Sequence, residues 1–138
     1  MEVKYYKMSN SKTISVDKKL MLEVENFFEK FAESNDISSS VAHKIMIISD
    51  EIFSNIAYYS MASDVVLNAN LEGNNVIITF KDNGIPYNPL QKDDPDVSMP
   101  LEDRAAGGLG IYIVKNMSKD IKYTRDGEYN ILEIVLEN

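Results

Sequence analysis

The sequence predicts an α+β fold, a two-layer α/β sandwich in which three helices cover one face of a mixed, mostly antiparallel sheet. Two long stretches carry apolar residues at helical spacing, and two others alternate apolar with polar residues on either side of a turn. Their order along the chain, β-α-α-β-β-α-β-β, requires that each apolar helix stripe find a sheet face to cover. Only residues 111 to 118 are available for the third helix, too few for the repeated crossovers of a doubly wound fold.

Taken in order, Val3 to Met8 read as a short first strand, followed by a polar run from Ser9 to Lys12. Asp17 is placed as an N-cap, and Leu20, Val24, Phe27, Phe28 and Phe31 form the stripe of the first helix, which fades in Glu33-Ser34-Asn35-Asp36. A second cap cluster, Ser38-Ser39-Ser40, precedes Val41, Ile45, Ile48, Ile52 and Ile56, spaced i, i+4, i+7, i+11 and i+15. The period then changes to two. Val65, Leu67, Ala69 and Leu71 alternate, Gly73-Asn74-Asn75 turns the chain, and Val76, Ile78 and Phe80 alternate again. Between Gly84 and Gly107 lie 22 residues with weak periodicity and all four prolines, and about 85–106 is expected to act as a lid. The third helix starts in Gly107-Gly108-Leu109-Gly110 and turns Ile111, Val114 and Met117 inward. Ile121 to Thr124 and Ile131 to Leu136 close the chain as a second hairpin around Asp126-Gly127.

With 138 residues, 44% hydrophobic and 26% charged, the composition is that of one compact domain, residues 1–138, able to bury a core. The absence of cysteine rules out disulfides and thiolate metal sites. Neither a signal peptide nor an apolar run long enough to cross a bilayer is present, so a soluble cytoplasmic protein with no membrane association is expected. A formal charge of -8 opposes the phosphate contacts on which nucleic-acid affinity depends, so no direct nucleic-acid binding is expected. A magnesium-bound nucleotide is compatible with that charge, because the metal and backbone amides offset the phosphates.

Three clusters carry candidate chemistry. In Asp50-Glu51-Ile52-Phe53-Ser54-Asn55, Glu51 and Asn55 stack one helical turn apart at the edge of the isoleucine stripe. A carboxylate at the rim of a core suits a general base, and an amide oxygen suits a hard cation such as Mg2+. On its own, the pair fits an ordinary boundary of a buried helix face better. In Lys81-Asp82-Asn83-Gly84, Asp82 can accept from an exocyclic amino group, and Gly84 lets a flat base approach the backbone. Asp-x-Gly is also common turn punctuation. Gly107, Gly108, Leu109 and Gly110 place unpaired amides and the positive end of a helix dipole where an anion can sit, or else form a hinge for the long loop. Arg104, three residues ahead, can reach a terminal phosphate oxygen. The single histidine, His43, projects away from the isoleucine stripe and is expected to be exposed.

A helix with Glu-x-x-x-Asn, a strand ending in Asp-x-Gly, a long lid and a glycine-rich helix start, in that order, resemble the N-box, G1 box and G2 box of the GHKL ATPases, whose domain is the Bergerat ATP-binding fold. The likeness runs from about residue 15 to the C-terminus. The segment Asp82-Asn83-Gly84-Ile85-Pro86-Tyr87-Asn88-Pro89, followed by Pro100-Leu101-Glu102 and Gly107-Gly108-Leu109-Gly110-Ile111, is similar to the anti-sigma-factor serine/threonine kinases of that family. The resemblance implies that Glu51 activates the attacking hydroxyl, Asn55 ligates Mg2+, Asp82 reads adenine, and Gly108 and Gly110 admit the phosphates of ATP. One position departs from the pattern: Pro86 stands where the second glycine of the G1 box belongs, and it fixes φ and offers no N–H.

The activity so implied is transfer of the γ-phosphoryl of ATP to a hydroxyl of a small anti-sigma-factor antagonist protein, with a sigma factor as a further partner and a homodimer as the assembly. A non-catalytic, ATP-binding regulator of the same fold is the alternative. A sensor histidine kinase would need a separate helical segment bearing the substrate histidine, for which residues 1 to 40 leave no room. A purely structural adaptor would bind no nucleotide at all.

Overall fold

The computed structural model describes residues 11–17, 20–91 and 109–138. Strand β1 (Ser11–Ser15) leads to helices α1 (Met21–Ser34) and α2 (Ser39–Asn55), the latter continued by a π-helical turn, Ile56–Ser60. Strands β2 (Asp64–Glu72) and β3 (Asn75–Asp82) follow, then a short 3-10 turn, Pro89–Gln91, helix α3 (Leu109–Met117), and strands β4 (Asp120–Asp126) and β5 (Tyr129–Glu137). The sheet order is β1-β2-β3-β5-β4, and all four described pairings are antiparallel.

The two-layer sandwich follows from the pleat. Val65, Leu67 and Ala69 of β2, Val76, Ile78 and Phe80 of β3, and Leu132, Ile134 and Leu136 of β5 are all buried on one face. The helices meet them there with Val24, Phe28 and Phe31 from α1, the whole Val41, Ile45, Ile48, Ile52 and Ile56 stripe, and Ile111 and Val114 from α3. Phe28 lies against Phe80 with ring centroids 5.6 Å apart, tying the first helix to the middle of the sheet. Gly73 (φ +62°) and Gly127 (φ +59°) occupy the two tight hairpin turns in a backbone conformation that other residues adopt at a cost.

Local signals set some boundaries and missed others. Ser38 caps α2 as expected, its hydroxyl accepting from the Val41 N–H at 3.3 Å. Asp17 does not cap α1: the helix starts at Met21, with Leu20 at the cap position and no side-chain cap bond. The Asp17 carbonyl instead accepts from the Leu20 N–H at 2.8 Å. The strand expected over residues 3–8 lies outside the described residues. The described first strand, Ser11–Ser15, overlaps only the end of the polar run after it, and only its Ile14 is buried. A polar edge strand needs a single inward anchor, which alternation of hydrophobicity cannot reveal. His43 is exposed, as its angular position on α2 requires. Among the described residues no helix is long and apolar enough to cross a membrane.

The α1–α2 interface contains one electrostatic oddity. Asp50 faces Glu25, and its carboxyl pKa is raised to about 6 by burial, by a hydrogen bond with Glu25 and by the charge of Glu25. Its Oδ1 is buried without a hydrogen-bond partner. Because the folded chain holds this proton more tightly than the unfolded one, the group supports the fold fully below the ordinary carboxylate pKa, and that support is lost as the pH rises through about 6. Urea unfolding at pH 5 and pH 8 tests this: Asp50→Asn is expected to be more stable than the parent at pH 8, by on the order of 1 kcal/mol, with the difference shrinking at pH 5.

Candidate functional site

The same pleat that builds the core carries two polar residues into it. Asp82 is the next inward position after Phe80 on β3, and Asn130 precedes Leu132 on the inward side of β5. The two are direct cross-strand partners, and each is only 4% exposed. Buried polar groups are costly unless satisfied, by about 1–3 kcal/mol each, and this pair is satisfied. Asn130 Nδ2 donates to Asp82 Oδ1 at 3.0 Å and to the Ile85 carbonyl at 2.7 Å. Asn130 Oδ1 accepts from the Tyr87 N–H at 3.1 Å and from the Tyr123 hydroxyl.

The three residues that end β3 and begin the following loop have separate structural tasks. Asp82 Oδ1 also accepts from the Gly84 N–H at 2.9 Å. Asn83 turns the other way, its Oδ1 accepting from the N–H groups of Ser63 and Asp64 at 3.0 and 3.1 Å, where β2 begins. Gly84 is buried against the end of the π-helical turn. A Cβ there would lie 2.1 Å from the Ser60 carbonyl oxygen, so the open side of this glycine is filled by protein backbone. The Ile85 N–H donates to that carbonyl at 2.7 Å, and the Arg125 guanidinium donates to the Gly84 carbonyl at 2.8 Å.

On the helical side, Glu51 and Asn55 are both half-buried at the margin of the α2 stripe, as their spacing requires. Glu51 reaches the first turn of α3. A Cβ built on Gly110 would come within 2.0–2.2 Å of the Glu51 carboxylate atoms, so the missing side chain of Gly110 is the space that Glu51 fills. A carboxylate beside a helix N-terminus is favoured by the exposed amides and the dipole, by about 0.3–1 kcal/mol. Asn55 sits one turn further along, and its Nδ2 is buried without a hydrogen-bond partner. Together with Asp82, Asn130, Tyr87 and Tyr123 it lines a cavity of about 20 Å³, room for about one water molecule. The Tyr87 ring stacks on Tyr59 at 5.3 Å, so two aromatic rings stand at this end of the cleft.

Of the residues expected to form the site, Glu51 and Gly110 come together, and Asn55 and Asp82 share one cavity. Leu109 opens α3 and is half-buried. Arg104, Gly107 and Gly108, with most of the expected lid, lie outside the described residues. Asn130, Tyr123, Tyr87 and Arg125 were not singled out from the sequence. Asn130 could have been: counted back from the buried Leu132, Ile134 and Leu136, it is a polar residue at an inward position, and such a residue needs partners.

An amide oxygen from Asn55 fits magnesium. That ion prefers hard oxygen ligands, keeps much of its water, and is commonly held by one or two protein groups together with substrate phosphates. The atom of this amide that is buried without a partner is Nδ2, a donor; the ion would be held by Oδ1.

The packing of Gly84 gives a direct test. Gly84→Ala drives a methyl into the Ser60 backbone, and the resulting overpacking is expected to destabilise the fold by about 1–3 kcal/mol, read as a lowered midpoint in urea unfolding.

A family model described as the histidine kinase-like ATPase domain matches residues 14–136. Among curated proteins no match is found. Among solved structures the chain is similar to the histidine kinase AdeS of Acinetobacter baumannii, with 18% identity and a TM-score of 0.52 over 91% of this chain and 67% of that one. It is also similar to the blue-light activated histidine kinase EL346 of Erythrobacter litoralis, with 16% identity and a TM-score of 0.51 over 83% of this chain and 41% of that one. The chain thus spans less than half of the second protein, and at these identities the likeness is one of fold. The family model covers nearly the whole described core, from the first strand to the last, and the chain belongs to the histidine kinase-like ATPase (GHKL) family.

Proposed function

We propose that the protein is an ATP-dependent serine/threonine-protein kinase that phosphorylates an anti-sigma-factor antagonist and, through its partners, regulates a sigma factor. The observation that carries this reading is the Glu51 carboxylate seated against Gly110 at the start of α3, one turn from Asn55 on the same helix. Phosphoryl transfer asks the protein mainly for positioning and charge neutralisation, so a base, a metal ligand and an amide-lined helix start suffice. The substrate hydroxyl oxygen attacks the γ-phosphorus, the bond to the β-phosphate oxygen breaks, and Glu51 takes the hydroxyl proton as ADP leaves. Asn55 would hold magnesium, which, when bound, offsets the phosphate charge. Asp82 accepts from the exocyclic amino group of adenine. Action in the cytoplasm, a sigma factor as second partner and a homodimeric assembly belong to the same proposal and rest on resemblance of the motifs.

A second reading, a non-catalytic ATP-binding regulator of the same fold, has one observation in its favour. Pro86 stands where the second glycine of the G1 box belongs and offers no N–H to a nucleotide.

Purified protein incubated with labelled ATP, magnesium and a candidate antagonist separates the two. Label on antagonist serine or threonine, reduced at least about a hundredfold by Glu51→Gln, supports the kinase; nucleotide binding without any transfer supports the regulator. Gly110→Ala provides an independent check. It improves helix propensity by up to about 1 kcal/mol yet displaces the Glu51 carboxylate, so transfer is expected to fall about tenfold or more while the melting temperature holds or rises.

A further inference from the structure

We infer that Asn130 is the positioning residue for base selection, a side-chain amide clamp that orients Asp82 toward a donor on the bound purine. The inference rests on the nucleotide-binding reading above and concerns how this chain chooses its base.

The orientation of the Asn130 amide is determined by its surroundings. The Tyr87 N–H can only donate and the Ile85 carbonyl can only accept, so Oδ1 must face the first and Nδ2 the second. Both amide protons and both lone pairs are then used, on Asp82, Ile85, Tyr87 and Tyr123. A fully satisfied buried amide has one low-energy arrangement, and it is bonded to the peptide groups on both sides of Pro86. Proline has no N–H to tie its own position down, so Asn130 supplies from a neighbouring strand the hydrogen bonds that shape this loop.

Asp82 takes its orientation from the same clamp. Both donors that reach it, Gly84 N–H and Asn130 Nδ2, fall on Oδ1. Among the described residues no hydrogen bond reaches Oδ2, and Asp82 lines the cavity. The carboxylate therefore offers one fixed acceptor there. A purine with an amino group at that point gains a hydrogen bond, and one with a keto oxygen brings two acceptors together. A site built on hydrogen bonding discriminates most strongly when the wrong ligand leaves its buried group unpaired.

Calorimetric titration of the full chain with Mg-ATP and with Mg-ITP, which carries a keto oxygen in place of the adenine amino group, measures this selection directly. The parent protein is expected to prefer ATP. Asn130→Ser, which removes the amide, is expected to shrink the ATP-over-ITP affinity ratio about tenfold, and Tyr123→Phe, which removes one hydroxyl donor to Asn130, about threefold. A general loss of stability would weaken both nucleotides alike and leave the ratio unchanged. An unchanged ratio in both variants, beside a parent that prefers ATP, overturns the role of Asn130 while leaving nucleotide binding intact. A parent that binds neither nucleotide overturns both readings. If Asn130→Ser does not fold, the ratio in Tyr123→Phe decides alone.

Discussion

An antiparallel sheet with one covered face must send every second residue inward, and this constraint organises the molecule. On β3 it takes Val76, Ile78 and Phe80 into the core and then, with no change of period, Asp82; on β5 it takes Asn130 in ahead of Leu132. The register pairs these two residues across the strands at one end of the core. A carboxylate and an amide so placed cannot be left to water, and they are satisfied by each other and by the loop that follows β3. The site is thus an extension of the hydrophobic layer in which the inward side chains become polar.

The helical layer meets that end of the sheet with its own polar margin. The isoleucine stripe of α2 is wide enough to cover the strands, and Glu51 and Asn55 lie along its border. The π-helical turn after Asn55 brings the Ser60 carbonyl against Gly84 and Ile85. Irregular helix geometry of this kind is frequent at functional sites, and here it welds the end of α2 to the end of β3. Through it, the metal-ligand candidate and the base-reading candidate are held in one rigid corner. Helix α3 reaches the same corner by a different route, its first turn accommodating the Glu51 carboxylate because position 110 has no side chain.

Tyr59 and Tyr87 stand at the open end of the corner with their rings stacked. The backbone of Tyr87 is held by Asn130.

The sequence by itself determined the α+β class, the order of the elements after the first strand, both hairpins with their turns, and the pairing of Glu51 with Asn55 on one helix edge. These depend on local periodicity, on turn chemistry and on helical geometry, all of which are written in neighbouring residues. The motif order also pointed to the family. What only the tertiary structure decided is which groups meet: Glu51 with Gly110 across two helices, Gly84 with Ser60, and Asp82 with Asn130, separated by 48 positions along the chain. The first strand and the start of α1 were likewise beyond local signals, since an edge strand with one inward residue and a helix without a side-chain cap leave almost no local trace. Long-range pairing depends on strand register and sheet order, and neither is encoded in any single segment.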